Sequence, residues 1–174
     1  MKEFRILSLV GKDRPGIVDD VSAFLYDRGA NIEDSRMACM GGCFSVMTLF
    51  SCEPIHLQSS DSDLNQLREL GFQAFLHEAR DPTTTPTRNE SPFKIEVTAM
   101  DHPGIVRKLV HLLRSYDVNI VSLSTEVLRA PHFGTPLFDL ELEAAMPSKE
   151  PMAELKQDLA ELAEDLDLDL AFLR

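Results

Sequence analysis

Hydrophobic positions fall into short blocks that switch between the period of a strand and the period of a helix. Residues 4–10 are apolar and β-prone and run into Gly11-Lys12-Asp13, which predicts a strand ending in a turn. Ile17, Val18, Val21, Phe24 and Leu25 then recur at helical spacing as one apolar stripe. Pro15 suits the first helical position and Gly29 the C-terminal cap. Residues 31–40 and 43–52 read as strands joined at Gly41-Gly42, a two-residue hairpin turn. Residues 61–70 read as a second helix, with Ser59, Ser60 and Asp61 as capping candidates and Gly71 as its stop. Residues 72–79 supply a last strand. The order βαββαβ predicts an antiparallel four-stranded sheet with both helices on one face, a ferredoxin-like α+β module.

The same order follows a second time. Strands are predicted at 93–99, 118–128, 137–145 and 167–173, and helices at 103–116 and 151–166. Asp13-Arg14-Pro15-Gly16-Ile17-Val18 returns as Asp101-His102-Pro103-Gly104-Ile105-Val106, and Asn31-Ile32 returns as Asn119-Ile120, both displaced by 88 positions. A repeat of that size is a duplicated domain; solenoid units run to roughly 20–50 residues. The predicted domains are 1–79 and 93–174, joined by a stiff polar linker at 80–92 that contains Pro82, Pro86, Pro92 and the Thr83-Thr84-Thr85 run. Residues 130–136 replace the tight Gly-Gly turn in the second copy. Duplication implies two related sites and a pseudo-twofold relation. Modules this small are marginal alone, so packing of the halves or homo-oligomerisation is expected.

Alternation along the strands assigns faces. In the second copy Phe138, Leu140 and Leu142 alternate with Asp139, Glu141 and Glu143, so one face is buried and the other wet. Leu168, Leu170 and Phe172 alternate with Asp167 and Asp169 in the same way. The 88-residue offset puts Leu7 and Leu9 on the core face of the first copy and leaves Phe4, Ile6 and Val10 pointing outward. That outer face is either an association surface or tolerated apolar edge.

Charge narrows the function classes. The formal net charge is −12, which repels nucleic acid and anionic lipid, so neither direct DNA binding nor membrane docking is expected. No apolar run approaches the roughly 20 residues of a membrane helix. The N-terminal residues leave no room for a secretory signal, and a cytoplasmic protein is expected. Cys39, Cys43 and Cys52 lie only in the first copy and form no disulfide framework; they are expected to be buried or half-buried free thiols, not a metal site. No cofactor is implied: there is no phosphate loop and no dinucleotide turn. No nucleophile–base pair stands out, although Ser122 and Ser124 follow Asn119. The acidic run Glu150, Glu154, Asp158, Glu161, Glu164, Asp165 reads as a solvated helix face or as a dock for a basic partner.

The twice-used Asp-x-Pro-Gly carries the candidate chemistry. A glycine between strand and helix lets a ligand approach the backbone, and the helix end beyond it presents free N–H groups and a positive dipole. A carboxylate is the natural guest. Asp13 or Asp101 can face an ammonium, and Asn31 or Asn119 can both donate and accept. Together they suit the head group of a free amino acid; the competing reading is turn and capping chemistry alone. His102 stands where Arg14 stands in the first copy and offers a pH bias or a solvated loop residue.

On these residues the chain resembles the ACT-domain family, small regulatory modules of amino-acid metabolism. The stretch from Asn31 to Ala38 behind Asp13–Val18 is similar, more specifically, to the family of glycine cleavage system transcriptional repressors, which are stand-alone tandems of two such modules. The resemblance implies ligand binding at Asp13, Arg14, Pro15, Gly16, Ile17, Asn31 and Ile32, and at Asp101, His102, Pro103, Gly104, Ile105, Asn119 and Ile120, often across a domain interface. It also implies a non-catalytic protein that senses a small, glycine-like amino acid and represses through a protein partner, a LysR-type activator. The family is expected to have a degraded second loop, whereas here that loop is intact; the chain then binds ligand at both loops or serves a different partner. Two other classes stay open: a sensing subunit acting in trans on a metabolic enzyme, and an acylphosphatase-like hydrolase. The latter needs a phosphate cradle of successive N–H groups, which Pro15 interrupts.

Overall fold

A computed structural model describes residues 2–53, 64–84, 91–129, 136–147 and 151–173, and in it the strand and helix periods are realised twice. The first unit, Met1–Pro86, holds β1 (Glu3–Lys12), α1 (Ile17–Tyr26), β2 (Asn31–Met40), β3 (Cys43–Cys52), α2 (Asn65–Glu69) and β4 (Gln73–Ala79). The second, Thr87–Arg174, holds β5 (Ser91–Met100), α3 (Ile105–Ser115), β6 (Asn119–Arg129), β7 (Pro136–Met146), α4 (Met152–Leu166) and β8 (Asp169–Leu173). Each sheet is antiparallel throughout, in the orders β2-β3-β1-β4 and β6-β7-β5-β8. These are tandem ferredoxin-like α+β modules.

The inner strands and the helix stripes make two separate cores. In the first, Leu7, Leu9, Val46 and Phe50 of the sheet meet Ile17, Val21, Phe24, Leu25 and Leu67 of the helices. In the second, Ile95, Val97, Leu140 and Leu142 meet Ile105, Leu109, Leu113, Leu155 and Leu159. Leu7 and Ile95, one repeat apart, are both wholly buried. Each such side chain contributes about 1.5–3 kcal/mol of burial.

Local geometry corrects the sequence reading at several places. Pro15 does not open the first helix. Gly16 stands between them as the N-cap at φ +88°, and its carbonyl accepts the Asp20 N–H at 3.0 Å. Gly104 repeats this at φ +108°, accepting from Lys108 at 2.9 Å. The helix therefore begins one residue after the glycine, because a left-handed residue cannot belong to it. Strand β5 begins at Ser91, inside the expected linker. The expected caps Ser59, Ser60 and Asp61 lie outside the described residues, and α2 is described only over Asn65–Glu69. The loop at residues 130–135 is likewise outside them.

The four helices among the described residues end the same way. Ala30 N–H bonds Leu25 O and Gly29 N–H bonds Tyr26 O, with Gly29 left-handed at φ +61°. Gly71 repeats this closure, with Phe72 bonding Leu67 O. Asp117 and Asp167, both at φ +52°, take the glycine's place in the second unit. Satisfying the last carbonyls outweighs the modest left-handed strain of aspartate.

The helix layer is also tied at one repeated position. Arg28 donates to Phe24 O and to Gln66 of α2, its guanidinium 3.8 Å from the Phe24 ring centroid. Tyr116, 88 positions on, donates its hydroxyl to Asp158 of α4 at 2.5 Å. That carboxylate holds the phenol in its neutral form, pushing its pKa up to about 12.

Candidate functional site

Each Asp-x-Pro-Gly corner lies where a central strand hands the chain to a helix. The Asp13 N–H bonds Gly42 O at 2.9 Å and the Asp101 N–H bonds Pro136 O at 3.1 Å, so the first corner sits beside a hairpin turn and the second beside the first residue of β7. Neither helix start has a side-chain cap. A Cβ built on Gly104 meets nothing within 4 Å, and one on Gly16 meets only Arg14 Nη1 at 4.0 Å. Among the described residues both corners are open, with their first-turn amides free for an anion.

The two corners differ electrically. The first turn of α1 carries Asp19 and Asp20, which oppose an incoming carboxylate. Arg14 neutralises one of them, pairing with Asp20 at 2.5 Å while its guanidinium lies 5.7 Å from the Phe72 ring centroid. The first turn of α3 has no acid and instead carries exposed Arg107 and Lys108. His102 there sets Nδ1 3.3 Å from Pro103 O. The first turn of the second corner is thus the more electropositive.

Asp13 is not free to meet an ammonium unaided: its Oδ2 accepts the Cys39 thiol at 3.3 Å. That bond, followed by desolvation and the charge of Asp13, raises the Cys39 pKa. Cys39 was not expected at the site, and counting the register of the hairpin back from Gly41-Gly42 would have found it. Its counterpart one repeat on is Val127, so Asp101 has no such thiol. Cys39 and Cys43 are exposed, contrary to expectation, and Cys52 alone is buried. The register puts Cys39 beside Phe44 and Cys43 beside Met40, on opposite sheet faces.

The expected asparagines lie elsewhere. Asn31 pairs with Ser51, which pairs with Phe4 near the start of β1, whereas Asp13 follows its end. Within the unit the two are separated by the length of β1, on the order of 30 Å at about 3.3 Å per residue. Asn119 is set the same way, opposite Ala145 and hence Pro92. Asn31 instead joins a polar knot at a β-bulge: its amide donates to Glu33 at 3.0 Å and the buried Ser51 hydroxyl donates to the same oxygen at 2.6 Å. These bonds hold the Glu33 carboxyl below its ordinary pKa. At the matching bulge, Val121 and Ala145 replace Glu33 and Ser51. Ile17 and Ile105, grouped with the site by sequence, are core residues, each 2% exposed; Ile120 packs against the core and Ile32 is half exposed.

No helix among the described residues is long and apolar enough to cross a membrane. Residues 3–77 match the family model of the ACT domain. The chain is 25% identical over 170 residues to the glycine cleavage system transcriptional repressor of Escherichia coli, covering 95% of this chain and 87% of that one. It is 39% identical over 70 residues to a UPF0237 protein of Methanococcus maripaludis, covering 39% of this chain and 74% of the relative. The crystal structure of an unknown protein from Galdieria sulphuraria superposes with a TM-score of 0.83 at 30% identity, covering 99% of this chain and 98% of that one. The fold, the repeated corner and these likenesses agree: residues 3–77 match the ACT domain, the first of a tandem similar to the glycine cleavage system transcriptional repressor.

Proposed function

We propose that this chain is a non-catalytic regulator that binds a small amino acid at its glycine corners and passes that state to a protein partner. The observation that carries this reading is the pair of uncapped helix starts behind left-handed glycines, each with open space where a side chain would stand. The ligand carboxylate takes the first-turn amides, and Asp13 or Asp101 takes the ammonium. The second corner binds more tightly, since its first turn is basic. Asn31 and Asn119 join the head-group set only where another module presents its strand start to the corner, as in a homo-oligomer. The ligand changes the partner's affinity only by binding two states of the regulator unequally. A net charge of −12 favours control of transcription through a protein, such as a LysR-type activator, over contact with DNA.

Calorimetric titration with glycine, serine and other amino acids tests this. Saturable binding is expected, weakened at least tenfold by Gly104→Val and less by Gly16→Val. Those glycines have positive φ, so Asp101→Asn and Asp13→Asn, which keep the backbone, are measured beside them with circular dichroism as a folding control. No saturable heat with any amino acid, or unchanged affinity in all four variants, overturns the reading.

A further inference from the structure

The helix layer of the second unit holds a groove of about 490 Å³ between α3 and α4. Its floor is Leu112 and Leu162, both half-buried. Lys108 and His111 form one wall, and Asp158, Glu161 and Asp165 form the other. No ion pair crosses it among the described residues; Asp158 is turned instead to the Tyr116 hydroxyl, and Glu161 accepts from Gln157. Opposite charges thus face each other over an apolar floor without neutralising one another.

We infer that this groove docks an amphipathic helix of a partner protein, with an apolar stripe flanked by acidic side chains on one side and basic ones on the other. The inference rests on the regulatory reading only in that it supplies the partner. Three observations select the occupant. The groove opens to solvent along its length, whereas a small-molecule site encloses most of its ligand. A uniformly basic segment suits the acidic wall but is repelled by Lys108. A third helix fits its ridge between two others and needs no outside partners for its main chain. With the acidic wall on α4, the basic flank of the guest lies over α4 and its acidic flank over α3, which fixes its direction. The lined stretch runs from Lys108 to Ser115 on α3 and from Asp158 to Asp165 on α4, roughly 11 Å at 1.5 Å per residue, which is two turns of a guest helix.

The test uses the full chain and a synthetic helical peptide of roughly 16 residues, long enough to stay helical across those two turns. It carries leucine at every third or fourth position, lysine along one flank and glutamate along the other. Saturable amide shifts confined to α3 and α4 are expected in NMR titration. Glu161→Lys with Asp165→Lys should weaken binding at least tenfold, as should a peptide with glutamate on both flanks. Both substituted residues are exposed, so the fold is expected to persist, and circular dichroism checks it. Absent saturation, shifts centred elsewhere, affinity blind to these charges, or displacement by free lysine or glutamate each overturns the inference. Amino-acid titration of the same doubly substituted protein separates the two proposals: retained ligand binding with lost peptide binding leaves the corners intact as the sensing site.

Discussion

The outer sheet face of the first unit presents Val10, Met47 and Phe75, each about half exposed, beside Ile6 and Leu49. The same face of the second unit presents Lys94, Glu96, Asp139, Glu141 and Glu143. There Lys94 pairs with Glu96 at 2.8 Å and Glu141 at 3.4 Å, and its pKa is raised by those partners. The inner faces, by contrast, keep apolar residues at the matching central positions, Leu7 with Ile95 and Leu9 with Val97. Burial on one side holds the fold, and the other side diverges without disturbing it. An apolar stripe of this kind suits association, whereas a carboxylate-studded face keeps neighbours away.

Three measurements break or sharpen that contrast. The largest effect is expected on the first outer face. Val10→Glu with Phe75→Glu should weaken self-association at least tenfold in sedimentation, about 1.4 kcal/mol, without unfolding the unit, because both side chains are already exposed. Glu141→Leu in the second unit should leave assembly unchanged. Identical sedimentation of the two variants would make the faces equivalent. Next come the helix ends: Asp117→Gly should stabilise the second unit by up to about 1 kcal/mol and Gly29→Asp should destabilise the first by a similar amount in urea titration. A loss on Asp117→Gly would mean that its side chain does more than tolerate the turn. The smallest effect is electrostatic. Glu33 titrates below its ordinary value in the fold, so its contribution is complete above the unfolded pKa, near 4.5. It is lost as pH falls from there through the depressed folded pKa. Ser51→Ala should move the carboxyl resonance midpoint upward; an unmoved midpoint would detach Glu33 from the knot. Val121, at the matching bulge, has no carboxyl to titrate.

Strand and helix periods were legible in the sequence because a half-buried element must repeat its apolar residues at its own pitch. The two-residue turn at Gly41-Gly42 was legible because both positions need positive φ, observed at +58° and +79°. The site was legible only in part. Asp13 and Gly16 follow from a local motif, but grouping Asn31 with them treated closeness in a motif list as closeness in space. Within one unit the strand order keeps them apart: β1 ends at the corner, antiparallel β3 starts there, and β2 therefore ends there at Met40. The Cys39–Asp13 bond was hidden for the complementary reason, since it joins residues 26 positions apart through register alone. The groove on the second unit depends on the spacing of two helices, which no single stretch of sequence encodes.

The separation of corner and asparagine by a full strand has a quantitative corollary. An effector that touches both must bridge two modules, and where the second belongs to another copy of the chain, occupancy and assembly become one equilibrium. The half-saturating dose would then fall as the regulator itself becomes more abundant, and a cell could retune its set point simply by changing how much of the chain it makes.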